Sequence, residues 1–150
     1  MIKIISHRGN INGKDKNNEN NPTHIKKVLK MGYDIEIDVW KIKDKFYLGH
    51  DAPQYFVEIN FLKNDKLWCH AKNVEALEGM LKNEINCFWH QEDDYTITSG
   101  GLIWTYPGKI LTEKSIIVLK EDNEYGLQDL KNVYGICTDN IYKLKNKLGI

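Results

Sequence analysis

The run Asp34-Ile35-Glu36-Ile37-Asp38-Val39-Trp40 carries acidic groups at every second position. Read as a strand, its period of two puts Ile35, Ile37 and Val39 on one face and Glu36, Asp38 and Trp40 on the other, with the carboxylates of Glu36 and Asp38 about 7 Å apart along the chain. Two buried carboxylates repel and need a cation between them, and hard divalent ions take oxygen donors of this kind. The plain alternative is an edge strand with a solvated acidic face. Leu67-Trp68-Cys69-His70-Ala71-Lys72 alternates in the same way and puts Trp68, His70 and Lys72 on one face. Lys72 then suits a substrate phosphate oxygen, unless its stem simply carries the charge out to solvent. The chain has 20 lysines and a single arginine, in His7-Arg8-Gly9. A guanidinium grips an anion through a planar fork that lysine cannot copy, although one residue of a type also arises by chance.

Four of the five histidines, His7, His50, His70 and His90, end β-type runs, and His24 falls in a helix. In parallel α/β folds the C-terminal ends of strands face the ligand site, so imidazoles gathered there suit acid and base work. Trp104 and Tyr106 share a strand face, as an aromatic substrate wall or as ordinary packing. Glu92-Asp93-Asp94 reads as a further metal carboxylate or as a solvated turn.

The elements that must position these groups are short. Eight β-type runs stand out: Ile2–Ser6, Asp34–Val39, Phe46–Leu48, Leu67–Ala71, Cys87–His90, Leu102–Tyr106, Ile116–Leu119 and Gly135–Thr138. Asn21-Pro22 caps a helix with Ile25, Val28 and Leu29 on its apolar stripe and Gly32 as its stop. Asn73 opens a second helix, with Val74, Leu77 and Leu81 read as its apolar face. Ile141, Leu144 and Leu148 give a third. Strand and helix alternate, which points to a parallel sheet in one domain spanning residues 1–150. At about 19 residues per strand, against about 31 in a typical (β/α)₈ barrel, some connections must be loops. Asn10–Asn20, rich in Asn, Lys and Gly, reads as a mobile loop.

Composition narrows the functional classes. Twenty-one basic and 21 acidic side chains give zero formal charge, which argues against nucleic acid as a partner. No apolar run reaches the length of a membrane span. The N-terminus is strand-like and shows no signal-peptide core. Cys69, Cys87 and Cys137 are an odd number in apolar runs and read as reduced, buried thiols. A cytoplasmic protein is the expectation, with its oligomeric state open.

His7-Arg8-Gly9, Glu19-Asn20, Glu36-Ile37-Asp38-Val39 and Gly49-His50-Asp51 together resemble the glycerophosphodiester phosphodiesterase family, within the PI-PLC-like phosphodiesterase superfamily. His70-Ala71-Lys72, Ile103-Trp104-Thr105 and Gly135-Ile136-Cys137-Thr138-Asp139 resemble its later strands, which would make this chain a short, divergent member. The resemblance implies a TIM-type (β/α)₈ barrel, here compact with abbreviated helices. It implies metal-dependent hydrolysis of a small-molecule phosphodiester, expected to be a glycerophosphodiester. His7 and His50 would be the catalytic acid and base, Arg8 and Lys72 the phosphate-binding cations, and Glu36 and Asp38 metal ligands. His70 stands where the family has a third carboxylate ligand. One divalent ion is therefore expected: Mg²⁺ or Ca²⁺ by resemblance, Mn²⁺ or Zn²⁺ because an imidazole suits them better. Glu19-Asn20-Asn21 departs from the family's Glu-Asn-Thr, and the insertion that often covers the substrate is missing. Two other functions fit the same residues: a non-catalytic module for phosphate or phospholipid head groups, and a phospholipase D-like lyase.

Overall fold

The computed structural model describes residues 2–120 and 125–150. In chain order its elements are β1 (Lys3–His7), α1 (Pro22–Lys30), β2 (Asp34–Ile42), β3 (Lys45–Leu48), β4 (Tyr55–Val57), α2 (Ile59–Leu62), β5 (Leu67–Ala71), α3 (Val74–Lys82), β6 (Cys87–Trp89), β7 (Tyr95–Ile97), β8 (Ile103–Thr105), β9 (Ser115–Leu119), α4 (Leu127–Lys131), β10 (Gly135–Thr138) and α5 (Ile141–Leu148). Asparagine side chains cap three of the helices. Asn21 accepts from the Thr23 and His24 amides, Asn73 from Ala76, and Asn140 from Lys143, each satisfying donors that a helix start leaves unpaired.

Among the described residues the strands form one mixed, ten-stranded sheet curled into a half-barrel, with five short helices. This corrects the expected (β/α)₈ TIM barrel. Parallel pairing runs β6-β5-β2-β1-β10-β9-β8, while β3, β4 and β7 join in antiparallel pairs. The physical reason is chain length. Hairpins replace helical crossovers where β2 turns into β3 and where β7 turns into β8, because a parallel crossover costs a dozen or more residues. Among the described residues β6 has a ladder partner on its β5 side alone. Its other side meets Thr96 and Ser99: Ser99 Oγ accepts from the Cys87 amide at 2.9 Å, the Ser99 amide donates to the Cys87 carbonyl at 2.8 Å, and Thr96 Oγ1 donates to the Trp89 carbonyl at 2.7 Å.

Period-two alternation sorts the core into layers. Ile35, Ile37 and Val39 pack outward with Ile25 and Val28 of α1 and Ala76 and Met80 of α3. The concave face is filled by Ile5, Trp68, Phe88, Trp104, Ile116 and Cys137. A third cluster joins Ile117, Ile136, Leu130, Leu144 and Leu148. All three cysteines are free and buried, and burial pushes the Cys69 and Cys137 thiols well up. The face expected for α3 holds only at Leu77, which packs against the core. Ala76 and Met80 are buried, whereas Val74 and Leu81 are 61% and 51% exposed. The helix turns Ala76 and Met80 to the sheet, and a Cβ on Gly79 would come within 3.0 Å of Lys41 and Phe46. Met80→Ala is therefore expected to cost about 2–5 kcal/mol of stability, and Val74→Ala less than about 0.5 kcal/mol. Urea denaturation measures both, and equal losses would contradict this packing.

Candidate metal centre

The strand order sets the rim at the C-terminal ends of the parallel strands. Along it come Asp139 after β10, His7 and Arg8 from β1, Glu36 and Asp38 from β2, His70 and Lys72 from β5, and His90 after β6. Register brings the central groups together. Asp38 lies opposite His70 in the β2–β5 pair, and Glu36 opposite His7 in the β1–β2 pair. One ligand atom from each of Glu36, Asp38 and His70 lies within 4.8 Å of the others. His70 Nδ1 is 3.3 Å from Asp38 Oδ1 and 3.7 Å from Glu36 Oε1.

Two observations make this cluster fit a divalent cation. Glu36 Oε2 and Asp38 Oδ1 are buried without a hydrogen-bond partner, a costly state for carboxylate oxygens. In addition, His70 Nε2 donates to the His90 carbonyl at 2.9 Å. That bond fixes the ring so that Nδ1 faces the carboxylates, the arrangement by which an outer partner orients a ligating imidazole. Four carboxylates, Glu19, Glu36, Asp38 and Asp139, line the site with the permanent cations Arg8 and Lys72, and the imidazoles of His7 and His70 balance the remaining charge when no ion is bound.

Around the cluster Arg8, Asp38, His70 and His7 are each held by charged partners. Arg8 Nε lies 3.1 Å from Asp38 Oδ2 and its Nη1 3.4 Å from Glu19 Oε2. Burial alone would lower the Arg8 pKa, but Asp38, Glu36 and Glu19 raise it. Burial would raise that of Asp38, but His70, Arg8 and Lys72 hold it well below the carboxylate range. For His70, burial opposes the charged form, yet its contacts with Asp38 and Glu36 push the pKa up to about 9. His7 Nδ1 bonds Asp139 Oδ1 at 2.7 Å, and Nε2 lies 3.8 Å from Glu36 Oε2. Burial of His7 is outweighed by these two carboxylates, so its pKa is raised. His90 is lowered by burial and by the neighbouring His70 and Lys72 charges.

The triplet His7-Arg8-Gly9 has a backbone reason as well. Arg8 adopts φ 56° and Gly9 φ 91°, and a Cβ on Gly9 would meet Ile25 Cδ1 at 2.9 Å. Only glycine turns the chain here. The turn leads into Asn10–Asn20, which is not the mobile loop expected. Asn10 and Asn20 are buried. Asn10 Nδ2 donates to both Glu19 and Asp139 at 2.8 Å, and Asn12 bridges Asn140. Asn20 brackets Asp38, donating to Oδ2 at 2.9 Å and accepting from its amide at 3.0 Å. The loop is polar because it lines a polar site.

The remaining expected site residues divide between the rim and its surroundings. His50 follows β3, whose Phe46 and Leu48 belong to the outward cluster. Its side chain is 42% exposed and its Nδ1 pairs with Asp51 at 2.8 Å. It lines a cavity of about 480 Å³ with Arg8, Lys16, Glu19, Asn20 and Gln54, and has no described contact with His7. Lys72 Nζ reaches Asp38 Oδ1 at 3.8 Å. Trp104 is buried and stacks on Phe88 at 4.3 Å, which stacks on His70 at 5.0 Å, so it packs beneath the site and forms no substrate wall. Tyr106 stands higher on the same face, exposed, 6.3 Å from His90. Glu92, Asp93 and Asp94 are a solvated turn, with Asp94 paired to Lys109.

Asp139 and Asn10 were not singled out as site residues from sequence. The alternation in β10 carries a signal for Asp139, which lies two residues beyond the inward-facing Cys137. Among the described residues no helix is long and apolar enough to cross a membrane. Comparison with protein-family models, curated proteins and solved structures finds no match.

Proposed function

We propose that this protein cleaves a small-molecule phosphodiester at a divalent-metal site held by Glu36, Asp38 and His70. The observation that carries the reading is that Glu36 Oε2 and Asp38 Oδ1 are buried without a hydrogen bond while the fixed Nδ1 of His70 stands 3.3 Å from Asp38 Oδ1 and 3.7 Å from Glu36 Oε1. When bound, the ion would supply Lewis-acid stabilisation of charge on the phosphoryl oxygens. An imidazole among the donors favours Mn²⁺ or Zn²⁺ over Mg²⁺ or Ca²⁺.

The chain's own groups do the rest. Arg8, clamped by Asp38 and Glu19, lines the cavity next to the centre and presents a preorganised cation to a phosphate. Lys72 adds a second positive charge on the β5 side. His7, oriented by Asp139 with its Nε2 turned to Glu36, is favoured in its protonated form and donates to the leaving alcohol. His50 sits on the wall of the polar cavity, where the substrate's alcohol portion fits.

The test is an activity screen of purified protein with Mn²⁺, Zn²⁺, Mg²⁺ and Ca²⁺, on glycerophosphocholine and on bis(p-nitrophenyl) phosphate. Turnover with Mn²⁺ or Zn²⁺, reduced about 10²–10⁴-fold on the choline ester by His7→Ala, is the expected result. His7→Ala spares the p-nitrophenyl ester, whose leaving group needs no proton. Ion binding without turnover would overturn the enzymatic reading in favour of a phosphate-binding module.

A further inference from the structure

We infer that His90, a residue to which the reading above gives no proton-transfer role, is the general base opposite His7. The inference rests on the proposed phosphodiester chemistry and adds a residue to it.

Three observations place His90 there. The first is strand order: β6 follows β5 on the side of the metal cluster away from β1. An imidazole after β6 and one at the end of β1 therefore stand on either side of Glu36, Asp38 and His70. The second is the period of two. Phe88 fills the concave core, so His90, two residues on, rises from the same face at the level of the rim. Its ring centre is 6.0 Å from that of His70 and 6.3 Å from that of Tyr106. The third is its bonding. Nδ1 of His90 is buried and has no hydrogen-bond partner, although the residue is only partly buried. His7, by contrast, has a carboxylate near each ring nitrogen. His50 rises beyond a strand that packs outward and pairs with the exposed Asp51.

The division of labour follows from those surroundings. With no carboxylate bonded to it, His90 offers the lone pair of Nε2, the ring nitrogen that is not closed off, while the buried Nδ1 carries the ring proton. It takes the proton of the attacking water as the water oxygen bonds to phosphorus. The bond from phosphorus to the leaving oxygen breaks, and that oxygen takes its proton from His7. Water and diester give monoester and alcohol, with one proton received by His90 and one given by His7.

The experiment compares His90→Ala, His50→Ala and the unaltered protein, loaded with Mn²⁺. Calorimetry of Mn²⁺ binding is expected to show affinity unchanged within about twofold in His90→Ala, because the bond to His70 comes from the backbone carbonyl. Turnover of both glycerophosphocholine and bis(p-nitrophenyl) phosphate is expected to fall about 10²–10⁴-fold, since a base serves either leaving group. Added imidazole should restore His90→Ala and leave His50→Ala unchanged. A His90→Ala rate within threefold of the unaltered protein, a loss of Mn²⁺ affinity, or failure of imidazole to restore turnover would each overturn the assignment. An unaltered protein inactive on both esters with every ion would overturn the phosphodiester reading itself, and this inference with it.

Discussion

Asp38→Asn is expected to abolish ion binding at the centre and to destabilise the fold at once. Asp38 is the residue on which the site converges. It meets Arg8 at 3.1 Å, His70 at 3.3 Å and Lys72 at 3.8 Å, and both ends of the Asn20 amide. Affinity for Mn²⁺ should fall more than about 100-fold, since loss of an outer partner alone costs 10–100-fold. Two stability effects oppose each other. Removing one of two neighbouring carboxylates relieves its repulsion with Glu36, but it leaves Arg8, whose side chain is 19% exposed, without its closest counter-charge. The second effect dominates, because three cations surround Asp38 and breaking a buried pair from one side costs about 3–5 kcal/mol. Urea denaturation and calorimetry read the two outcomes separately. Adding Arg8→Gln should recover part of the lost stability, the signature of a coupled pair. Unchanged Mn²⁺ affinity in Asp38→Asn would remove Asp38 from the ligand set.

The second large effect is on pH. Without an ion His70 is held protonated, with a pKa pushed up to about 9. Nε2 donates to the His90 carbonyl and Nδ1 turns to the carboxylates. An ion at that position replaces the Nδ1 proton. Binding should therefore release close to one proton at pH 7, and affinity should rise about tenfold per pH unit between pH 6 and 8 before levelling above 9. Calorimetry in two buffers of different ionisation heat counts the proton. Stability of the metal-free protein follows with the opposite sign. The His70 contribution is complete below its ordinary 6.5 and is lost as pH rises through about 9. The Asp38 contribution is present above its ordinary 3.8 and is lost on acidification, because its folded pKa is depressed. Melting temperature without metal should thus peak between those two ordinary values and decline on both sides, and bound Mn²⁺ should remove the alkaline decline. Ion affinity that does not vary with pH would exclude His70 Nδ1 as a ligand.

These effects trace back unevenly to the sequence. The Glu36 and Asp38 face of β2, and His70 on β5, were legible because strand alternation is local and two neighbouring strands in register suffice to join them. The eight β-type runs were also legible. What they assemble into was not, because parallel and antiparallel pairing depend on connections whose cost appears only in three dimensions. Asn10–Asn20 looked mobile by composition, yet its asparagines have charged partners far along the chain, Asp38 and Asp139. For His50, a motif read in one dimension did not reveal that β3 packs its alternate residues outward. In α3, a helix of nine residues gave too few turns for apolar spacing to single out Ala76 and Met80 as the residues buried against the sheet.

The two flanks of the centre are built differently. On the β10 side, Asn10, Glu19 and Asp139 interlock through amide and carboxylate bonds. On the β6 side, the strand leading to His90 is met by the hydroxyls of Thr96 and Ser99 and by the Ser99 amide, which donates to the Cys87 carbonyl at 2.8 Å. One side of the cleft is thus cross-linked through charged side chains and the other through a few bonds to a short segment, so amide exchange in β6 is expected to outpace that in β10, which is laddered on both sides.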